Sequence, residues 1–258
     1  MKKLFAGLLA AVLLATPAFA EEDVWDGLEN RYYEVIPQTY SSVEERFLEE
    51  GDTLDWNRAV RRYISDDQLG TQTGVESFLT ALRSGEALAD RITYNDRILV
   101  YVEGASGSDG MAVVNPQKNE IVGYHPGDNG EMFVMKLTDG VKSALENSEI
   151  NLSQTKSYNL CLNGLCYGIL YTDGKVELFQ PICAVPSFMS EDTAYTVDQL
   201  ADIVEENADL LTQYEGINAN LDPEKANVIT GANPLLFERE EKPNQNLDPE
   251  KPNVVTGR

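Results

Sequence analysis

Two dipeptides constrain this chain most: Asn163-Gly164 and Asp173-Gly174. They separate three short runs rich in aromatic and aliphatic residues, Tyr158 to Leu162, Leu165 to Thr172 and Lys175 to Ile182. Asn-Gly and Asp-Gly tolerate the positive backbone angles of a two-residue hairpin turn, so the three runs are expected to fold back on one another as an antiparallel meander. A similar pattern lies upstream. Ile98, Val100 and Val102 alternate with Leu99, Tyr101 and Glu103, and further strands are expected at Met111 to Val114 and Glu120 to Tyr124.

Before residue 93 the apolar spacing reads as helical. Val24, Leu28 and Tyr32 recur every fourth residue until Pro37. Ser41 and Glu44 form a capping box ahead of Val43, Phe47 and Leu48, and Gly51 ends that turn. Trp56, Val60, Tyr63 and Ile64 make a third stripe. A fourth starts at Thr73 with Glu76 as capping partner, carries Val75, Phe78, Leu79 and Leu82, and stops at Gly85. Each stripe is read as a face turned to the core. Met132 to Leu137 begins a strand or helix that leads into a short helix around Val141 to Leu145. Val197, Leu200, Ile203, Val204 and Leu211 form a closing amphipathic helix.

The expected fold class is therefore α+β: short N-terminal helices, then antiparallel β-meanders with interspersed helices, and a disordered C-terminal tail. The divisions are a signal peptide at 1–20, a helical part at 21–92, a meander domain at 93–215 and a tail at 216–258. Three strands then a helix occur twice, so 93–150 and 151–215 are candidate halves of a duplicated βββα unit; one continuous sheet without duplication is the alternative. The stretch Met111 to Gly123, with its Val-Val-Asn-Pro turn and Glu-Ile-Val return, resembles the hairpin of PepSY-type extracytoplasmic domains. No function is carried over from that resemblance.

The N-terminus gives an address. Met1-Lys2-Lys3, an apolar run from Leu4 to Leu14, and Ala18-Phe19-Ala20 have the order of a secretory signal peptide. The run is shorter than the roughly 20 residues of a membrane-spanning helix, and Glu21 stands where a lipoprotein would carry Cys. The expected location is secreted or periplasmic, with no membrane span after cleavage. The chain has 43 acidic against 20 basic residues, a formal net charge of −23, and cleavage would remove Lys2 and Lys3. Such a surface repels phosphate backbones, which argues against nucleic acid and anionic lipid as partners. The partner expected is a protein or envelope component of unknown identity.

Three cysteines in an exported chain raise the question of a disulfide. With Asn163-Gly164 as a two-residue turn, Leu162 faces Leu165 and Cys161 faces Cys166 at a non-hydrogen-bonded rung, where Cα atoms approach to roughly 4.5 Å. Cys161 to Cys166 is thus the expected bond. Cys183 falls diagonally nearby as the free thiol. In this register Leu160, Leu162, Leu165, Ile169, Val176, Leu178 and Ile182 share one buried face, and Asn159, Thr172, Lys175 and Glu177 the other. A thiol-redox site would need a neighbour that lowers a thiol pKa, and none is evident.

His125, the single histidine, lies in a Pro-Gly-Asp-Asn turn region where Asp128 could orient it, with Ser106 or Ser108 as weak nucleophile candidates. No nucleophile-elbow motif accompanies them. Ser108-Asp109 and Asp128-Asn129-Gly130-Glu131 offer oxygen ligands to calcium without matching a regular calcium loop, so no cofactor is expected, with calcium the open possibility. Asp66-Asp67 and Glu205-Glu206 are adjacent carboxylates, whereas a glycosidase pair must face across a sugar.

The tail carries a repeat. Asn220-Leu221-Asp222-Pro223-Glu224-Lys225 returns as Asn246-Leu247-Asp248-Pro249-Glu250-Lys251, in a composition too polar to bury a core. The function expected from all of this is a non-catalytic binding or interaction protein. The alternatives are an extracytoplasmic hydrolase with a site assembled from dispersed residues, and a thiol-redox protein.

Overall fold

The computed structural model describes residues 23–33, 36, 48, 50–105, 107, 109–126 and 134–213. The expectations for the signal peptide, the Ser41 capping box, Asp128, Ser106, Ser108 and the tail repeats lie outside those residues. One mixed sheet of eight strands organises the described chain, in the order β4-β3-β2-β1-β5-β6-β7-β8. The strands are β1 (Thr53–Ser65), β2 (Ile92–Glu103), β3 (Gly110–Asn115), β4 (Glu120–Pro126), β5 (Lys156–Leu162), β6 (Cys166–Thr172), β7 (Glu177–Cys183) and the two-residue β8 (Tyr195–Thr196). Every neighbouring pair is antiparallel except β1 and β5, which run parallel. Two antiparallel meanders thus meet along one parallel seam, and the fold is α+β.

Five helices among the described residues cover this sheet: α1 (Val24–Tyr32), α2 (Gln72–Arg83), α3 (Asp139–Asn147), α4 (Val197–Glu206) and α5 (Ala208–Thr212). Local chemistry starts three of them. The side chains of Thr71, Thr138 and Thr196 accept hydrogen bonds from the amides of Gly74, Val141 and Gln199, and the Thr196 amide in turn donates to the side-chain oxygen of Gln199. The α2 cap is Thr71, two residues before the expected Thr73. The expected closing helix is broken at Asn207 into α4 and α5. Residues 134–138 form neither strand nor helix.

Both faces of the sheet are buried. On one face α1 and α3 pack Leu28, Tyr32, Val141 and Leu145 against Val60, Leu99, Met111, Ile169 and Tyr171. On the other, α2, α4 and α5 pack Phe78, Leu82, Leu200, Val204 and Leu211 against Leu160, Leu162, Leu165 and Phe179, while Ala59, Ile98, Val100 and Val114 belong to a third cluster. The expected one-sided sheet is therefore corrected. Leu160 and Leu162 face α2, whereas Ile169, Leu178 and Ile182 face α1, and Asn159 lies buried on the α1 face.

The third apolar stripe is also corrected: Trp56, Val60, Tyr63 and Ile64 lie on β1, a central strand. Register shifts against β2 between Asp55 and Ala59 and between Arg61 and Tyr63 explain the misleading spacing. A bulge adds a residue and disturbs strict alternation. Trp56 and Tyr63 consequently pack beside the α2-face clusters and Val60 on the α1 face, at intervals that imitate a helix.

Candidate functional site

The cysteines test the hairpin register directly. Leu162 pairs with Cys166 and Cys161 with Tyr167, so the loop has three residues, Asn163, Gly164 and Leu165, instead of two. Gly164 has φ +89° while Asn163 is not among the positive-φ residues, so the turn lacks the two positive angles of the tight hairpin form. Tertiary contacts hold it there. The Asn163 side chain donates to the Ser65 carbonyl at 2.9 Å, and the Asn163 carbonyl accepts from the Leu69 amide at 2.7 Å. A slip of one residue turns a side chain to the opposite face. Cys166 accordingly packs toward α2, while Cys161 shares the α1 face with Tyr167 and Cys183.

This corrects the expected pairing of Cys161 with Cys166: the two are not opposite each other, and all three cysteines are free thiols. Cys161 and Cys183 stand on β5 and β7 with β6 between them, a spacing of roughly 9.5 Å from the usual strand separation, beyond disulfide reach. Burial pushes all three thiols up, Cys183 to about 11, and the positive charge of Arg62 opposes the rise at Cys161 and Cys183 without cancelling it. The thiol-redox alternative requires a lowered value, and none of the three has one.

His125 lies on β4 opposite Met111, partly buried, and its pKa is lowered by burial and then by the positive charge of Arg62. Asp109 accepts a hydrogen bond from the Tyr101 hydroxyl at 2.5 Å and from the Gly104 amide at 3.2 Å, so both its oxygens are engaged. Asp66 accepts from Thr93, Asp67 holds Arg91 at 2.6 Å, and Glu205 holds Arg83 at 2.9 Å. Among the described residues no group of three His, Cys, Asp or Glu is placed to hold a metal. Glu177 caps the short 3-10 helix Leu88–Arg91 through the amides of Leu88 and Ala89.

The sequence reading missed two features. The first is an open cleft of about 580 Å³ between the end of α2, the β6–β7 hairpin and the start of α4. Its walls carry Lys156, Lys175, Asp90, Asp198, Gln154 and Tyr158. None of these six polar side-chain groups has a hydrogen bond or ion pair with another described residue, and they come from the short 3-10 helix, the start of α4, the β6–β7 turn, strand β5 and the residues just before it. The second is Arg62 on β1, whose Nη2 donates to the Tyr167 hydroxyl at 2.8 Å over the sheet centre. The Arg61-Arg62 pair in so acidic a chain was the available signal.

Comparison with known proteins finds no match: no family model fits the chain, and neither a curated protein nor a solved structure is similar to it. No helix among the described residues is long and apolar enough to cross a membrane.

Proposed function

We propose that this chain is an exported binding protein without catalytic activity, and that the cleft between α2, the β6–β7 hairpin and α4 receives its ligand. The observation that carries this reading is the set of uncommitted groups on its walls. Two ammonium groups, two carboxylates, an amide and a phenol line a space of about 580 Å³, a volume suited to a ligand of small-molecule or short-segment size. The mixture of signs favours a polar partner with both donors and acceptors, such as an envelope component, over a lipid tail or a polyanion. Export is supported by the N-terminal order of charge, apolar run and small residues.

Purified chain starting at Glu21, incubated with isolated envelope fragments, provides the test. Lys156→Ala with Lys175→Ala, and separately Tyr158→Ala, should each lower retention by about tenfold or more, the effect of losing one or two charge-assisted contacts. Unchanged retention in both variants would remove the cleft from consideration. N-terminal sequencing of the exported material should read from Glu21; recovery of chain beginning at Met1 would contradict cleavage.

Residues 93–150 and 151–215 are also proposed to be halves of a duplicated βββα unit. Each half carries three consecutive antiparallel strands, β2 to β4 and β5 to β7, ahead of its helix, α3 on one face of the sheet and α4 on the other.

A further inference from the structure

The carboxylates on the walls of the cleft between α2, the β6–β7 hairpin and α4 fall into two kinds. Three of the five serve the fold. Asp173 accepts hydrogen bonds from the backbone amides of Asn151, Lys175 and Val176, Glu177 caps the short 3-10 helix, and Glu86 pairs with Arg91. Asp90 and Asp198 have no such duty, and neither have the ammonium groups of Lys156 and Lys175. Lys175 acts on Asp173 only through space.

The two signs are kept apart. Among the described residues no carboxylate lies within 4.0 Å of either ammonium, whereas Arg58, Arg83 and Arg91 each hold two carboxylates elsewhere in the chain. The separation follows from the fold. Lys156 opens β5 opposite Thr172, and Lys175 lies in the turn just after Thr172, so the end of the sheet supplies both cations. Asp90 belongs to the 3-10 helix and Asp198 to the first turn of α4, so helical elements supply both anions. Ala87, Ala89, Val176 and Val197 give the same walls an aliphatic component.

We propose that the ligand of this cleft is a short peptide with free ends and small aliphatic side chains, its carboxylate held by Lys156 and Lys175 and its ammonium by Asp90 and Asp198. This rests on the cleft being the binding site, as proposed above. A free peptide carries both charges at pH 7, because its ends titrate near about 3.5 and about 8. Three extended residues put roughly 10 Å between the ends, a reach suited to a space of about 580 Å³. A single amino acid holds both charges on one carbon and leaves most of that space empty. A polyanion would meet the two carboxylates, a polycation the two ammonium groups, and a neutral sugar would use neither pair.

The test is an NMR titration at pH 7 of the chain from Glu21, read on the backbone amides of Gly174 and Lys175. Trialanine, its N-acetyl form, its C-terminal amide and free alanine serve as probes. Trialanine should shift these amides saturably, and blocking either end should weaken binding about three- to tenfold, the effect of one or two exposed ion pairs. Alanine should bind more weakly than trialanine. Asp90→Asn with Asp198→Asn should remove the penalty of acetylation and keep that of amidation, and Lys156→Gln with Lys175→Gln should do the reverse. All four side chains are exposed, and the comparison of peptides on the unaltered chain stands without these variants. Equal binding of the free and blocked tripeptides, alanine as tight as trialanine, or no saturable shift with trialanine up to about 10 mM would overturn the assignment. If the lysine variant of the preceding section still lowers retention on envelope fragments, the cleft keeps its role and the peptide assignment alone falls; if retention is unchanged as well, both fall.

Discussion

Burial governs the chemistry of the three thiols. Cys183 has 8 % of its surface exposed and its pKa is raised from 9.0 to about 11, chiefly because the thiolate would be desolvated. A thiol raised in this way holds its proton more tightly in the folded chain than in the unfolded one. The stability linked to that proton is complete below pH 9.0 and is lost as pH climbs toward about 11. Denaturant melts across that window should show the decline, and Cys183→Ala should flatten it by about 2 kcal/mol. An unaltered slope would mean that the buried tyrosines and the other thiols account for it. Of the candidate residues, the sequence made the cysteines and His125 visible because rare residue types stand out. Lys156, Tyr158 and Lys175 are common types, and only the folding of the β6–β7 turn against the ends of α2 and α4 gathers them around one cleft.

At the scale of elements, Asn163-Gly164 shows where local reading stopped. The dipeptide does place a turn between β5 and β6, but its length is set by the loop after β1, to which Asn163 is tied twice. Gly164 is required on two counts. Its φ of +89° is unfavourable for other residues, and a Cβ built there would lie 2.3 Å from the Gly70 nitrogen. Gly164→Ala should destabilise the chain by about 2 kcal/mol or more, measured by urea unfolding, because backbone must give way on both sides. Gly174 has a similar angle with nothing within 4 Å, so Gly174→Ala isolates the cost of the angle alone and should be milder. Strands β2 to β7 were legible from alternation and turns. The central strand β1 was not, since its bulges disguise its period. Helices α1 and α3, and α2 apart from its cap, followed their apolar stripes.

For the whole molecule, one continuous sheet was among the readings the sequence allowed, but its strand order was beyond it, because nothing local announces that β1 and β5 are neighbours. The repeated Asn-Leu-Asp-Pro-Glu-Lys segments invite a separate experiment. Their starts lie 26 residues apart, and two identical short segments on one chain can engage a repeated partner with a gain in avidity. Deleting residues 246–258 should reduce retention on envelope fragments by well over about twofold if both copies engage, by mass action at the second site. Retention unchanged by the deletion would assign binding to the folded body alone.

The parallel seam has a consequence for how the chain is made. Only three residue pairs, Arg62 with Asn159, Tyr63 with Leu160 and Ile64 with Cys161, join the meanders along it. The first meander can zip locally, but its inner border on β1 waits for a strand that leaves the ribosome or translocon almost a hundred residues later. Until then β1 is an open edge, able to accept β5 from another copy. Slow delivery of the second half would therefore favour exchanged dimers whose subunits each keep the same eight-strand order.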